Sequence, residues 1–253
     1  MADPFERMAL LYGSAAMERL NQARVAVFGI GGVGGYVVEA LTRSGVGALD
    51  LIDHDRVSIS NLNRQIIATR SSIGQYKVDV AETRIHDIDP DCVVRTYRTF
   101  FLPETAGEFD FGVYDYVVDA VDTVTAKLLI AEKARDAGVP VISAMGTGNK
   151  LHPDRLEVAD LYETSECPLA RIMRKEARKR GIEHLKVVYS KETPLVPQPA
   201  ETEDADGPEP EESGYGKKRV TPGSTAFVPA AAGLLMAAEV VGELTKERRV
   251  SLP

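Results

Sequence analysis

Residues 29–34 read Gly29-Ile30-Gly31-Gly32-Val33-Gly34. Gly29, Gly31 and Gly34 form G-x-G-x-x-G, with Gly32 as a fourth glycine, between an apolar run (RVAVF) and a stretch with helical spacing. Such a turn lets the backbone approach a phosphate, and the helix that follows offers it unpaired N–H groups. Asp53 lies 19 residues past Gly34 at the end of a second apolar run, where its carboxylate can accept hydrogen bonds from both hydroxyls of a ribose. Strand, glycines, helix and acid together point to a nucleotide, but this fingerprint suits a dehydrogenase equally well.

The polar residues that follow narrow the chemistry. Asn61-Leu62-Asn63-Arg64-Gln65 is succeeded by Gly74-Gln75-Tyr76-Lys77, then by Asp119-Ala120-Val121-Asp122. A hydride-transfer enzyme has no use for an Arg and a Lys near the adenosine. An enzyme that handles a triphosphate does: Arg clamps phosphate oxygens in a plane, Lys supplies a point charge, and a carboxylate can hold Mg²⁺. Further on, Arg171, Arg174, Lys175, Arg178, Lys179 and Arg180 put six bases into ten residues. Positions 171, 174 and 178 are expected on one helix face, as a solvated face or a phosphate-binding one. Cys167 precedes Pro168 at a helix start, where a thiol can be reactive, but the favoured reading is a structural or incidental thiol, dispensable for catalysis. No Ser-His-Asp or Cys-His constellation is evident.

Strand and helix must alternate to hold these residues. Strands are expected at 24–29, 48–52, 92–97, 114–121 and 139–143, and helices at 14–22, 35–44, 75–88 and 125–137. This pattern implies an α/β, doubly wound, Rossmann-like fold with a mainly parallel sheet. The nucleotide-binding part is expected over 1–150. A C-terminal extension, 151–253, would pack on it with a basic helix (168–181), a Pro-rich acidic loop at about 193–216 expected to be disordered, and an apolar helix (229–246). In that last helix Ala231, Ala232, Leu235 and Ala238 are expected on one side.

The 253 residues are 44% hydrophobic and 27% charged, an ordinary globular balance. Two cysteines exclude a disulfide scaffold and a four-cysteine zinc site, and suit a reducing compartment. Met1 to Arg7 lacks the apolar run of a secretory signal, and the 13-residue apolar stretch 226–238 falls short of a membrane span. The net charge of −8 is local: seven acids lie within 201–212, leaving 38 less those seven against 30 bases, so an acidic surface does not argue against a nucleic-acid partner.

In this order, GxGGxG, LIDHDRVSISNLNRQ, GQYK and VVDAVD resemble the ubiquitin-activating-enzyme-like superfamily of ThiF, MoeB and HesA adenylyltransferases, closely over residues 5 to about 145. FERMALLYG (5–13), CPLARIMRKEARKRG (167–181) and PGSTAFVPAAAGLLMAAEVV (222–241) are similar to the tRNA threonylcarbamoyladenosine dehydratase branch, extending the likeness to nearly the whole chain except the acidic loop. The resemblance implies Gly29, Gly31, Gly32 and Gly34 at the phosphates and Asp53 at the ribose. It implies Asn61, Arg64, Gln65 and Lys77 on the triphosphate, and Asp122 as the Mg²⁺-associated carboxylate. Arg7 would be inserted into the site of a homodimeric partner. The cofactors implied are ATP and Mg²⁺, with a monovalent cation as a further candidate; the paired CxxC zinc motifs of ThiF and MoeB relatives are absent, so no zinc is expected. The partner would be tRNA, bound through 171–180, with a sulfur-relay or cysteine-desulfurase system as a further candidate. A cytoplasmic location without a membrane is expected. The threonyl carboxylate on an anticodon-loop adenosine would attack the α-phosphate, and a ureido nitrogen or oxygen would then close a ring and expel AMP. Two other readings stay open: a MoeB- or ThiF-like activator of a sulfur carrier's C-terminus, and an NAD-dependent oxidoreductase.

Overall fold

The computed structural model describes residues 3–198 and 222–246. One seven-stranded sheet holds β1 (Arg24–Phe28), β2 (Ala48–Ile52), β3 (Val93–Tyr97), β4 (Tyr116–Asp119), β5 (Val141–Ala144), β6 (Leu156–Asp160) and β7 (Lys186–Ser190). Their order is β3-β2-β1-β4-β5-β7-β6, parallel throughout except for the antiparallel pair β6–β7. The helices are α1 (Glu6–Tyr12), α2 (Ser14–Gln22), α3 (Gly34–Arg43), α4 (Lys77–Ile88), α5 (Val124–Ala137), α6 (Pro168–Lys179) and α7 (Phe227–Thr245).

β1 is apolar on both faces because both faces are covered. Val25 and Val27 point into the core that α3, α4 and α7 close. Ala26 and Phe28 point into the opposite core, against α5 and the aromatic cluster Phe101, Phe109 and Phe111. The register pairs Phe28 with Ile52 on one side and with Asp119 on the other, so the chain leaves these three strands level at Gly29, Asp53 and Ala120. After β3 the chain crosses to the other side of β1, opening a crevice at the C-terminal ends of β1 and β4, where ligands bind in open α/β sheets.

The expected strands and helices of the first 145 residues are present, with ends shifted by at most two residues; α4 begins at Lys77 rather than at residue 75. Three elements were not anticipated: α1, β6 and β7. Strands β6 and β7 continue the same sheet, β7 alongside β5. The last helix begins two residues earlier than expected, at Phe227. Its buried stripe is also different: Val228, Ala232, Met236 and Val240, with Gly233, Ala237 and Val241 beside them, while Ala238 is exposed. At 19 residues α7 is long and apolar enough to cross a membrane, so the expectation of a stretch too short for a span fails; here that stripe packs on α3 and α2. The acidic residues Glu201 to Glu212 lie outside the described residues.

Candidate functional site

The glycine turn is shaped by what surrounds it. Gly29 has φ +87°, and a Cβ there would lie 2.7 Å from the Ala120 carbonyl oxygen. A Cβ on Gly34 would lie 1.8 Å from the Gly29 carbonyl oxygen, so only glycine lets the first turn of α3 pack against the turn. Asp53 ties this turn to β2. Its Oδ2 accepts from Ile30 N–H at 2.7 Å and its Oδ1 from Asp55 N–H at 2.8 Å. Each oxygen keeps a lone pair for a further donor.

Under the turn, Asp119 and Lys127 form a fully buried pair. The Lys127 ammonium donates to both Asp119 oxygens at 3.2 Å and to the Ala144 carbonyl at 2.6 Å, while Ser143 Oγ donates to Asp119 at 2.5 Å. A buried pair of this kind is held by completeness of hydrogen bonding rather than by Coulomb attraction alone. It fixes the ends of β4 and β5 against α5, and so sets where Asp122 stands.

One cavity of about 840 Å³ opens at this crevice, lined by Gly29, Gly31, Gly32, Asp53, Asn61, Arg64, Gln65, Lys77 and Asp122. Nine of the residues singled out from the sequence thus meet in one place. Lys77, the first residue of α4, is buried and reaches Asp55 at 2.6 Å and Asp53 at 3.9 Å. Arg64 donates to the Ser60 carbonyl and to Asn63 Oδ1. Asn61 caps its own turn by accepting from Ser58 N–H at 3.1 Å. Gln65 is a buried part of the lining, and its Oε1 has no hydrogen-bond partner among the described residues. The Asp122 carboxylate is exposed to the cavity with no hydrogen bond or ion pair among the described residues. The set suits a nucleoside triphosphate: a carboxylate at the ribose end, cations and open backbone at the phosphates, and a free carboxylate beside them for a divalent cation.

Two groups stand apart. Arg7 is exposed on α1 and does not line the cavity. The basic helix α6 begins at the cavity, where Leu169 forms part of the wall; Arg171, Lys175, Arg178, Lys179 and Arg180 are exposed and Arg174 is half-buried. Ala170, Met173 and Ala177 are buried, and Arg174 turns inward to donate to Thr164 Oγ1 and, at 2.9 Å, to its carbonyl. Positions 171, 174 and 178 do fall on one side of the helix at its 3.6-residue period, but Arg174 is engaged by Thr164, so the exposed bases there are Arg171, Lys175 and Arg178, with Arg178 over the Tyr162 ring at 5.2 Å. Lys179 pairs with Glu176, and Arg180 with Glu132. Cys167 is buried at the start of α6 and does not line the cavity.

Sequence reasoning missed several wall residues. Lys127 sits among apolar α5 residues and gives no periodic signal. Asp55, two residues past Asp53, could have been suspected as a partner for Lys77. The extension contributes Pro222, Gly223, Ser224 and Pro229, which only the tertiary fold brings here.

The model of the ThiF family matches residues 5–252. The tRNA threonylcarbamoyladenosine dehydratase of Bacillus subtilis (strain 168) is 40% identical over 249 residues, 98% of this chain and 96% of that protein. The protein of the same name from Escherichia coli (strain K12) is 34% identical over 239 residues, 88% and 89% of the two chains. The crystal structure of E. coli tRNA N6-threonylcarbamoyladenosine dehydratase, TcdA, in complex with ATP superposes with a TM-score of 0.83 at 30% identity, covering 95% of this chain and 93% of that one.

Proposed function

The chain belongs to the ThiF family, and from that premise we propose that it dehydrates threonylcarbamoyladenosine in tRNA to a cyclic form, using ATP and passing through an acyl-adenylate. The observation that carries this reading is the gathering of Asp53, Arg64, Lys77 and Asp122 around the glycine turn in a single cavity, in a chain similar to such dehydratases along nearly its whole length.

The chain's residues supply position and charge. Asp53 holds the ribose and, through Ile30 N–H, keeps the turn in register with it. The N–H groups at the start of α3 and the cations Arg64 and Lys77 take the phosphates and neutralise charge as pyrophosphate departs. Lys77 is poised for this by Asp55, which yields part of its hold on the ammonium when phosphate arrives. Asp122 is the carboxylate that would hold Mg²⁺, which when bound supplies further neutralisation at the α-phosphate. Ring closure is intramolecular and asks for orientation and exclusion of water.

The finer assignments rest on the same reading. A homodimer would bring Arg7 to the neighbouring cavity, and exposed Leu10 and Leu11 on α1 with Phe227 and Leu234 on α7 offer apolar surface for it. Arg171, Lys175 and Arg178 carry the phosphates of tRNA. A cytoplasmic location follows from the substrate, and a monovalent cation and a sulfur-relay partner belong to the same proposal. The test is incubation of the protein with ATP and threonylcarbamoyladenosine-bearing tRNA. AMP and a tRNA lighter by one water are expected, and no AMP is expected with tRNA lacking the modification. AMP formed only with a carrier protein ending in Gly-Gly, or reduction of NAD, would replace this reading.

A further inference from the structure

The cavity that would hold the acyl-adenylate is lined in part by Pro222-Gly223-Ser224, a strap from the C-terminal extension that is held at two clips. The first clip is Asn149. Its N–H donates to the Gly223 carbonyl at 2.7 Å, and its Oδ1 accepts from Gly223 N–H at 2.7 Å. Asn149 is one of two non-glycine residues among those described with positive φ, here +60°. Asparagine is among the side-chain-bearing residues that best tolerate that conformation, and it turns both its backbone and its amide toward the strap. Its own carbonyl accepts from Leu195 N–H at 2.8 Å, so the chain bonds to Asn149 both before residues 199–221 and after them. The strap also rests on Gly148, where a Cβ would lie 3.0 Å from Pro222 Cβ.

The second clip is Asn63. Its Nδ2 donates to the Ser224 carbonyl at 3.0 Å, and its Oδ1 accepts from Arg64 at 3.0 Å. One amide therefore joins the strap to the arginine at the phosphates.

We propose that Asn149 and Asn63 are positioning residues that pin this strap as the water-excluding wall over the acyl-adenylate, so that ring closure outruns hydrolysis. This rests on the function proposed above. The two fates of the adenylate balance as follows. In closure, the ureido nitrogen or oxygen attacks the acyl carbon, the bond from that carbon to the AMP oxygen breaks, and a proton is released. In hydrolysis, water attacks the same carbon, AMP leaves, and the original carboxylate returns. Both release AMP, but only closure changes the tRNA, so AMP released per ring formed measures water entry.

The test is that ratio, from AMP release and mass spectrometry of the tRNA nucleosides, for wild type, Asn149→Gly, Asn149→Asp and Asn63→Asp. Glycine keeps the left-handed backbone at 149 and removes only the amide acceptor. Aspartate at 149 keeps the acceptor. Aspartate at 63 keeps the acceptor for Arg64 and removes the donor to the strap. Asn149→Gly and Asn63→Asp are each expected to raise the excess of AMP over ring about fivefold, roughly what one lost hydrogen bond does to an open–closed equilibrium. Asn149→Asp should stay coupled like wild type. Should Asn149→Gly fail to fold, Asn63→Asp, on an exposed residue, carries the test alone. AMP and ring formation falling together in the variants, with their ratio unchanged, would overturn the strap's role. A wild-type protein that makes no AMP with modified tRNA would instead overturn the underlying function, and the strap's role with it.

Discussion

At the scale of single residues, the site is a set of charged side chains, and its cations Arg64 and Lys77 are each held in place by neighbours. Lys77 is buried against Asp55 and Asp53, and Arg64 is held by a carbonyl and an amide rather than by an acid. Both cations thus stand at the cavity before phosphate arrives, and Lys77 has only to exchange part of its contact with Asp55 for the phosphate. Arg64→Ala, Lys77→Ala and Asp122→Asn are each expected to lower AMP formation about 100- to 1000-fold, the usual loss for one transition-state donor. Their thermal unfolding should stay close to that of wild type. Near-normal turnover in all three would remove adenylation as the chemistry of this cavity. Gln65 is legible in the sequence only as a member of the NLNRQ run; that its Oε1 is buried without a partner among the described residues requires the fold.

At the scale of elements, α7 acts as a buttress for the glycine turn. Pro229 lies 3.2 Å from where a Cβ on Gly32 would be, and a Cβ on Gly233 would lie 2.5 Å from the Val33 carbonyl oxygen. Gly233→Ala must push α7 away from α3 through contact with backbone. We expect a loss of about 1–3 kcal/mol, as for overpacked cores, and weaker ATP binding, since Val33 ends the turn. Calorimetric titration with ATP checks this; unaltered stability and affinity would show that α7 is only laid against the turn. A second link joins α3 and α4: Glu39 accepts from Arg84 at 2.6 Å and from Arg43 at 2.8 Å. Burial pushes the Glu39 carboxyl up, but the hydrogen bonds and charges of Arg84 and Arg43 together outweigh it and hold the group below its usual 4.5. A carboxylate held low in the folded chain stabilises above its unfolded pKa, and that stability is lost as pH falls through the folded value. Glu39→Gln should therefore cost stability at neutral pH, about 0.5–1 kcal/mol because both arginines are solvent-exposed, and the gap should close as pH falls below 4.5. Urea unfolding at neutral pH and below 4.5 reads the difference directly.

At the scale of the whole molecule, the proposed nucleotide and tRNA sites fall on different parts of one sheet's surroundings. Helix α6 leaves the cavity at Leu169, and Arg178 lies about 14 Å further along its axis at 1.5 Å per residue. Reversing Arg171, Lys175 and Arg178 to Glu should weaken tRNA binding and leave ATP binding intact. The salt dependence should flatten by roughly one unit of slope for each phosphate no longer neutralised. Arg174→Glu should act differently, lowering stability, because that guanidinium serves Thr164. An unchanged tRNA affinity in the triple variant would make α6 a solvated face. If Arg7 completes a neighbour's cavity, Arg7→Ala and Lys77→Ala proteins, each inactive, should regain partial AMP formation when mixed. One of the two sites in a heterodimer would then carry neither defect. No recovery despite demonstrated subunit exchange would place Arg7 outside catalysis.

The succession of the first five strands and the glycine turn were determined by the sequence itself; the polar residues proposed for the triphosphate were legible there as motifs of a known family. Local rules govern them: a turn that only glycine can make, an acid at a strand end, helices stopped by Gly45 and Pro90. β6 and β7 escape such rules because an antiparallel pair at a sheet edge breaks the strand–helix alternation that makes the first half readable. The buried stripe of α7 does so because small residues surround that helix, and only packing on α3 decides which of them are covered. Tertiary structure alone decided that Arg174 turns inward, that Lys127 supports Asp119, and that Pro222 to Ser224 line the cavity. Each of these depends on partners distant along the chain or on a choice among equivalent side chains, and neither periodicity nor spacing encodes that choice.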